Sequence, residues 1–405
     1  MHEILLINVS GLDRPGLTVA LTETLAEHAV KLLDMGQAVI HDELAWGMLV
    51  EVPRAASDGP LYKDLLFAAH GLGLQLRITP VTEAQYAQRW SAGRRPRHTV
   101  TLLAREIHAQ HVAGVARAVA EEGLNIARIH RLSGRPDVRV PAQRRRAAVA
   151  LTVSGEVGDL GAMRSRLLQL SKAFDVDIAI QADDVFRRSR RLVCFDMDST
   201  LVATEMIDEL AKAAGVGEQV AAVTAAAMAG EMDFRESFVR RMALLRGLDA
   251  SKLRAIAERM PLTEGAERLV KTLKSLGYSL AILSGGFTYF AEHLQRRLGI
   301  DYVYANTLEI RDGMLTGAVV EPIVDGERKA ELLRGLAAAE RISLAQTIAV
   351  GDGANDLPML SIAGLGVAFQ AKPLVREHAE TGISNLGLDG LLYLLGMRDR
   401  ELEDL

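Results

Sequence analysis

The order of apolar runs predicts an α/β chain in three parts: two βαββαβ domains of the α+β type, then a larger domain on a buried parallel sheet with a helical cap inserted into it. Three observations carry this reading. A strand, helix, strand, strand, helix, strand order over 3–79 returns over 99–180. Short apolar runs at 192–196, 279–284, 347–351 and 365–369 alternate with helical stretches, as buried parallel strands do. Residues 204–283, rich in Glu, Ala, Met and Leu, separate the first two runs by far more than one crossover needs, so the excess is a cap, over about 204–265. The expected domains are 1–83, 97–182 and 190–405.

Along the first repeat, strands fall at 3–9, 35–41, 46–52 and 74–79, with helices at 15–29 and 61–70. Asp13 is placed to cap the first helix and Pro15 fits its first turn, after which Leu17, Leu21 and Leu25 recur at helical spacing. Residues 84–97 have no apolar period and read as a linker. In the second repeat the strands are 99–103, 125–132, 147–153 and 176–180, and the helices 111–122 and 160–173. An insert at 134–146 holds Pro136, Pro141 and the run Arg144-Arg145-Arg146, which reads as a solvated hairpin loop. A charged linker, 183–190, leads to the parallel sheet.

Composition narrows the class. The chain has 405 residues, 47 Lys plus Arg against 52 Asp plus Glu, and a net charge of −5, which argues against a nucleic-acid partner bound through a basic face. The single cysteine, Cys194, cannot form an intramolecular disulfide. Glu3 stands where a signal peptide carries cations, and no run approaches the about 18 apolar residues of a membrane span. The expectation is a cytoplasmic protein with no membrane partner.

The chemistry gathers at strand ends. Asp196-Met197-Asp198-Ser199-Thr200-Leu201 follows the run Leu192-Val193-Cys194-Phe195, putting two carboxylates at the edge where open α/β sheets bind ligands. A calcium loop would need Gly at its sixth position and Glu at its twelfth, where this chain has Leu201 and Ile207. Two aspartates at a strand end also suit a loop closure or a helix cap. Ser284-Gly285-Gly286 follows the second run with a hydroxyl and open backbone N–H groups. Lys329 opens a helix after a hairpin-like stretch over 312–327, and Gly351-Asp352-Gly353-Ala354-Asn355-Asp356 follows the third run before a helix at Leu357. Each taken alone has a bland alternative: a surface lysine, or a tight Asp-Gly turn. In this order they suit phosphoryl transfer to a carboxylate, with a cation and a lysine on the equatorial oxygens and a second acid for the leaving-group proton. Oxygen donors without His or Cys favour Mg²⁺ over zinc.

These elements, DMDSTL, SGG, Lys329 and GDGAND, resemble the four motifs of the haloacid dehalogenase superfamily, with its Rossmann-like sheet, and residues from about 190 onward are similar to its phosphoserine phosphatase branch. The two repeats resemble ACT domains, the ferredoxin-like fold that senses amino acids. The resemblance implies Asp196 as nucleophile, Asp198 as general acid and base and, through its backbone carbonyl, a metal ligand, and Asp352 as the other carboxylate on Mg²⁺ with Asp196. It implies that Ser284, Gly285, Lys329 and Asn355 hold the phosphoryl group and that Asp356 supports them. It further implies that Glu205 meets the ammonium of phosphoserine, Arg241 its carboxylate, and Phe234 lines the cap. The activity implied is the last step of serine biosynthesis. The alternatives are action on another small phosphorylated metabolite, or an amino-acid sensor with an inert phosphatase domain. Gly11-Leu12-Asp13-Arg14-Pro15-Gly16 matches the ACT effector loop, implying serine binding near Asp13 and Gly16. The equivalent stretch of the second repeat, Arg105 to His111, lacks Pro and Gly, so that copy is expected to serve pairing. Open sheet edges in the repeats predict a homodimer.

Overall fold

The computed structural model describes residues 2–53, 59–92, 95–135, 139–228 and 231–403. Pro136 and residues 93–94 of the expected linker lie outside those described. The chain divides into two compact units, Met1–Arg95 and Pro96–Leu405. Among the described residues no helix is long and apolar enough to cross a membrane.

The first unit contains β1 (Glu3–Leu12), α1 (Leu17–Glu27), β2 (Lys31–Ile40), β3 (Glu43–Val52), α2 (Pro60–Gly71), β4 (Gln75–Val81) and α3 (Glu83–Ala92). Its antiparallel sheet has the order β2-β3-β1-β4. Leu5, Ile7 and Val9 of β1 alternate toward Leu17, Leu21 and Leu25 of α1 and Leu61 and Leu65 of α2, and together they form the core. Two expectations need correction. Asp13 does not cap α1: β1 stays paired as far as Leu12 opposite Glu43, the Asp13 N–H donates to the Asp42 carbonyl at 2.7 Å, and the N-cap is Gly16 at φ +95°, with no side-chain bond. The linker is not structureless, because α3 occupies it. Its start is fixed by reciprocal bonds, Thr82 N–H to Gln85 Oε1 at 3.0 Å and Gln85 N–H to Thr82 Oγ1 at 3.2 Å, a capping box that lies open in the sequence.

The second unit opens with β5 (Arg97–Ala104), α4 (Ala109–Glu121), β6 (Asn125–Arg131), β7 (Ala147–Ser154), α5 (Leu160–Phe174) and β8 (Asp177–Ala182), in the sheet order β6-β7-β5-β8. One face carries Val100, Leu102, Val149 and Leu151 against Val115 and Met163 of the helices. The other face carries Leu103, Ala148, Ala150 and Ala179, which share a core with the parallel-sheet domain. The second repeat is therefore not free for pairing alone; both faces of its sheet are apolar and both are covered. Polar contacts pin the same junction. Arg105 donates to both Glu264 oxygens at 2.8 and 2.7 Å, and Asp399 accepts from the Gly134 N–H at 2.8 Å. The arginine run is not simply a wet surface either: Arg145 pairs with Glu106, and Arg146 reaches the buried Asp389 at 2.5 Å. The charged linker folds as α6 (Val185–Arg188), with Arg187 and Arg190 buried and the Arg190 guanidinium capping the Arg187 and Gly364 carbonyls at 3.1 Å each.

Beyond it lie β9 (Leu192–Phe195), the cap helices α7 (Met206–Ala214), α8 (Gly217–Met228), α9 (Phe234–Leu244) and α10 (Lys252–Glu258), then α11 (Ala266–Ser275), β10 (Ser279–Phe287), α12 (Thr288–Leu298) and β11 (Tyr302–Asn306). The hairpin β12 (Leu308–Arg311) and β13 (Met314–Val319) precedes α13 (Gly326–Ala339), β14 (Thr347–Gly351), α14 (Leu357–Ile362), β15 (Leu365–Phe369), α15 (Pro373–His378), β16 (Thr381–Ile383), α16 (Leu391–Leu394) and α17 (Asp399–Leu402). The parallel sheet has six strands in the order β11-β10-β9-β14-β15-β16, two more than the four apolar runs. β11 carries two tyrosines and β16 is three residues long, so neither reads as an apolar run. The hairpin lies earlier than 312–327, because Asp312 and Gly313 both have positive φ and form its two-residue turn. α13 starts at Gly326, capped by Asp325, so Lys329 lies a turn inside it rather than opening it. β9 has β10 on one side and β14 on the other, so the carboxyl ends of three strands open into one crevice.

Candidate active site

β9 delivers Asp196 directly from its last residue, and the backbone N–H of Asp196 is fixed on the Val350 carbonyl of β14 at 2.8 Å. From α13 the fully buried Lys329 ammonium donates to Asp196 Oδ1 at 2.8 Å and to Asp356 Oδ1 at 2.6 Å. The second oxygen of Asp356 accepts the Gly353 N–H at 2.9 Å. Carboxylate oxygens of Asp196, Asp352 and Asp356 lie within 4.8 Å of one another. One lysine among three acids leaves negative charge in excess, which adds to burial in raising the proton affinities of Asp196 and Asp352. Burial, then the Asp356 charge, push Asp196 up to about 8 against the pull of Lys329. Burial, Asp356 and Glu205 push Asp352 up to about 7, and burial, Glu205 and Asp196 hold Asp198 well above the carboxylate range. Burial alone would lower Lys329, but Asp196 and Asp356 outweigh it and keep it protonated.

Around this cluster the loops are shaped by close approach. Ser284 is fully buried, and its Oγ accepts the Gly286 N–H at 2.9 Å. A Cβ on Gly286 would stand 2.6 Å from Asp198 Oδ2, and one on Gly285 would stand 3.0 Å from the Phe234 ring, so both positions need glycine for space rather than for φ. Ser199, at φ +57°, donates to Glu205 Oε1 at 2.9 Å, which turns the chain from the strand end into α7. Phe234 and Phe238 of α9 stack at 6.1 Å, and Arg241 lies on the same helix. Asp196, Asp198, Glu205, Phe234, Arg241, Ser284, Gly285, Asp352 and Asn355 all line one cavity of about 1150 Å³, with Lys329 and Asp356 directly behind Asp196. Asp13 and Gly16 belong to the first compact unit, on the loop from β1 to α1.

Sequence reasoning missed two contributors. Asn306, 1% exposed at the end of β11, donates through Nδ2 to the Gly285 carbonyl at 2.8 Å and accepts the Val324 N–H at 2.8 Å, so it ties the glycine loop to the approach to α13. Its signal is the same as that of the other motifs, a polar residue closing a short strand, but two tyrosines mask the strand. Lys372, after β15, also lines the cavity, and its N–H donates to the Asp352 carbonyl at 3.3 Å.

Residues 193–361 match the family profile of haloacid dehalogenase-like hydrolases, and residues 3–79 and 96–181 each match an ACT domain. A protein of Mycobacterium tuberculosis named phosphoserine phosphatase SerB2 is 43% identical over 399 residues, 98% of this chain and 94% of its own. The chain belongs to the haloacid dehalogenase-like hydrolases. A phosphoserine phosphatase of Streptomyces coelicolor is also 43% identical, over 98% of this chain and 93% of its own. Among solved structures, a hydrolase of this family from Salmonella enterica serovar Typhi is 33% identical with a TM-score of 0.63, covering 73% of this chain and 98% of that one. A probable phosphoserine phosphatase from Vibrio cholerae is 34% identical with a TM-score of 0.58, covering 76% and 89%.

Haloacid dehalogenase-like phosphatases are metal-dependent, and the donor set here fits a cation. The donors of the cluster are all oxygen and they are buried, and three carboxylates share one lysine, so the site has room for a further positive charge.

Proposed function

We propose that this chain hydrolyses O-phospho-L-serine to L-serine and phosphate through an aspartyl phosphate on Asp196. The observation that carries the reading is the shared cavity: Asp196 held by Lys329 opens into the same space as Glu205 and Arg241. A small zwitterion with a phosphate needs one anion, one planar cation and an apolar wall, and Glu205, Arg241 and Phe234 supply them.

Asp196 Oδ attacks phosphorus and the bond to the serine oxygen breaks, with Asp198 donating its proton to the departing alkoxide. The raised proton affinity of Asp198 suits an acid that arrives protonated. Asp198, now a carboxylate, takes a proton from the water that attacks the acyl phosphate, releasing phosphate and restoring Asp196. Ser284, the Gly285 N–H, Lys329 and Asn355 hold the phosphoryl oxygens, and Asp356 keeps the Lys329 ammonium aimed at Asp196. Asp196, Asp352 and the Asp198 backbone carbonyl are the residues that would hold Mg²⁺, which when bound supplies positive charge to a phosphoryl group approached by a carboxylate. Serine as effector at the Asp13–Gly16 loop and a homodimer through the first repeat complete the reading. Its support is an edge strand, β2, with Met35, Val39 and Ile40 exposed.

The test is phosphate release from a panel of phosphorylated amino acids and sugars, with and without Mg²⁺. Phosphoserine should be the preferred substrate, Asp196→Asn should be inert, and a hydroxylamine-cleavable phosphoenzyme should form in the wild type. Arg241→Ala should lose on the order of 2–5 kcal/mol of transition-state stabilisation with phosphoserine and much less with an aryl phosphate, which has no carboxylate to leave unpaired. Equal losses on both substrates would remove the amino-acid assignment.

A further inference from the structure

A second cavity, of about 300 Å³, lies between α5 of the second ACT repeat, the start of β8, and the segment from α15 to Ser384. Its size is at the small end of ligand pockets. Its polar groups are only partly spent on one another. Arg376 is half-buried, and among the described residues no carboxylate lies within ion-pair distance of its guanidinium. Arg164 uses one terminal nitrogen on Glu380, at 2.5 Å, and leaves its buried Nε without a partner. Asp177 is 5% exposed, and its Oδ2 accepts the Ser384 and Asn385 N–H groups at 2.8 Å each, with the Ser384 side chain bonding it as well. The Arg376 charge acts on the buried Asp177 from beyond ion-pair distance, a poor arrangement for an empty surface, because neither charge gains enough to offset its partial desolvation. It suits a ligand that carries both complementary charges a bond or two apart. Leu167, Leu168 and Ile178 give that ligand a short apolar wall.

We infer that this cavity binds a small α-amino acid, its carboxylate on Arg376 and Arg164, its ammonium on Asp177. The assignment does not rest on the phosphoserine reading, nor on the effector loop of the first repeat. It also has a route to the catalytic cavity. α15 is six residues long, with Pro373, Leu374 and Val375 on the catalytic cavity and Arg376, Glu377 and His378 on this one. The residue before it, Lys372, holds the Asp352 carbonyl. A ligand clamped between α5 and α15 restrains the strut that carries Lys372.

The experiment is calorimetric titration of the full chain with L-serine, glycine and L-alanine, one at a time, on the wild type, Arg376→Ala and Leu168→Trp. The first variant removes the guanidinium; the second fills the space. Wild type should bind one more amino acid per chain than either variant, or bind it at least tenfold tighter, while both variants turn over substrate at the wild-type rate when no amino acid is added. Should Arg376→Ala melt early, Leu168→Trp carries the comparison. Identical isotherms in all three proteins overturn the site. So does a parallel titration with inorganic phosphate in which a variant loses phosphate binding but keeps the amino acid, since the cavity would then be a simple anion site.

Discussion

The two ACT repeats share element order and strand order, yet they differ at the sheet face turned away from their own helices. In β1 burial alternates: Leu5, Ile7 and Val9 are buried while Asn8 and Ser10 are exposed. In β5 every residue from Thr99 to Ala104 is buried, and β7 is buried from Ala147 to Leu151. An outer face that is only partly covered leaves the first repeat a compact unit by itself, and two buried apolar faces make the second a layer of the catalytic unit. The small residues Ala148, Ala150 and Ala179 let the second face come close to its neighbour, and the ion pairs around Glu264, Asp389 and Asp399 fix the orientation. A common fold therefore does not imply a common task; the face left over after the core is built decides it.

The comparison breaks most visibly under truncation. A chain that starts at Pro96 should fold and keep phosphatase turnover within about threefold, as an independent unit would. One that starts at Arg191 uncovers the apolar surface around Leu391 and Leu394 and should aggregate or melt far earlier. Thermal melts and phosphate release on the two truncations decide it, and equal stability would mean that the docked face contributes nothing. Point changes give a finer cut. Leu103→Asp buries an unpaired charge and should destabilise by about 3 kcal/mol or more, whereas Ser10→Asp, on the exposed face of the first repeat, should stay within about 0.5 kcal/mol. Urea unfolding measures both, and comparable losses would erase the distinction between the faces.

The smallest effect is in pH. Burial raises Asp177 from 3.8 to about 6, against the pull of the Asn385 and Ser384 amides. The folded chain therefore holds this proton more tightly than the unfolded chain. The stabilisation is complete below pH 3.8 and is lost as pH rises through 6, on the order of 2–3 kcal/mol for a group this buried. Asp177→Asn, which cannot ionise, should lose that slope. Urea midpoints from pH 4 to 7 for wild type and variant should converge at the acid end and separate toward neutrality; parallel curves would mean that the junction does not raise the proton affinity of Asp177.

Much of the site is legible from local order. Asp196, Asp198, Ser284 and Asp352 each close an apolar run, and a parallel sheet puts such ends on one edge, so their convergence follows from strand succession. Asn306 obeys the same rule but follows a strand with two tyrosines, and the α3 capping box lay open at Thr82 and Gln85. Asp13 was misread as a cap because pairing with β3 extended β1 through the loop.

The sequence by itself determined the repeat, the parallel sheet, the cap and the order of the chemical motifs, because these depend on the spacing of apolar residues and on what stands at the end of each run. Tertiary structure alone decided which acid Lys329 holds, which repeat docks, and that Arg105 meets Glu264. Lys329 reaches Asp196 across 133 positions, and Arg105 reaches Glu264 across 159. Charged side chains have no periodicity that announces a distant partner; only packing brings the two ends within the few ångströms over which a buried ion pair acts.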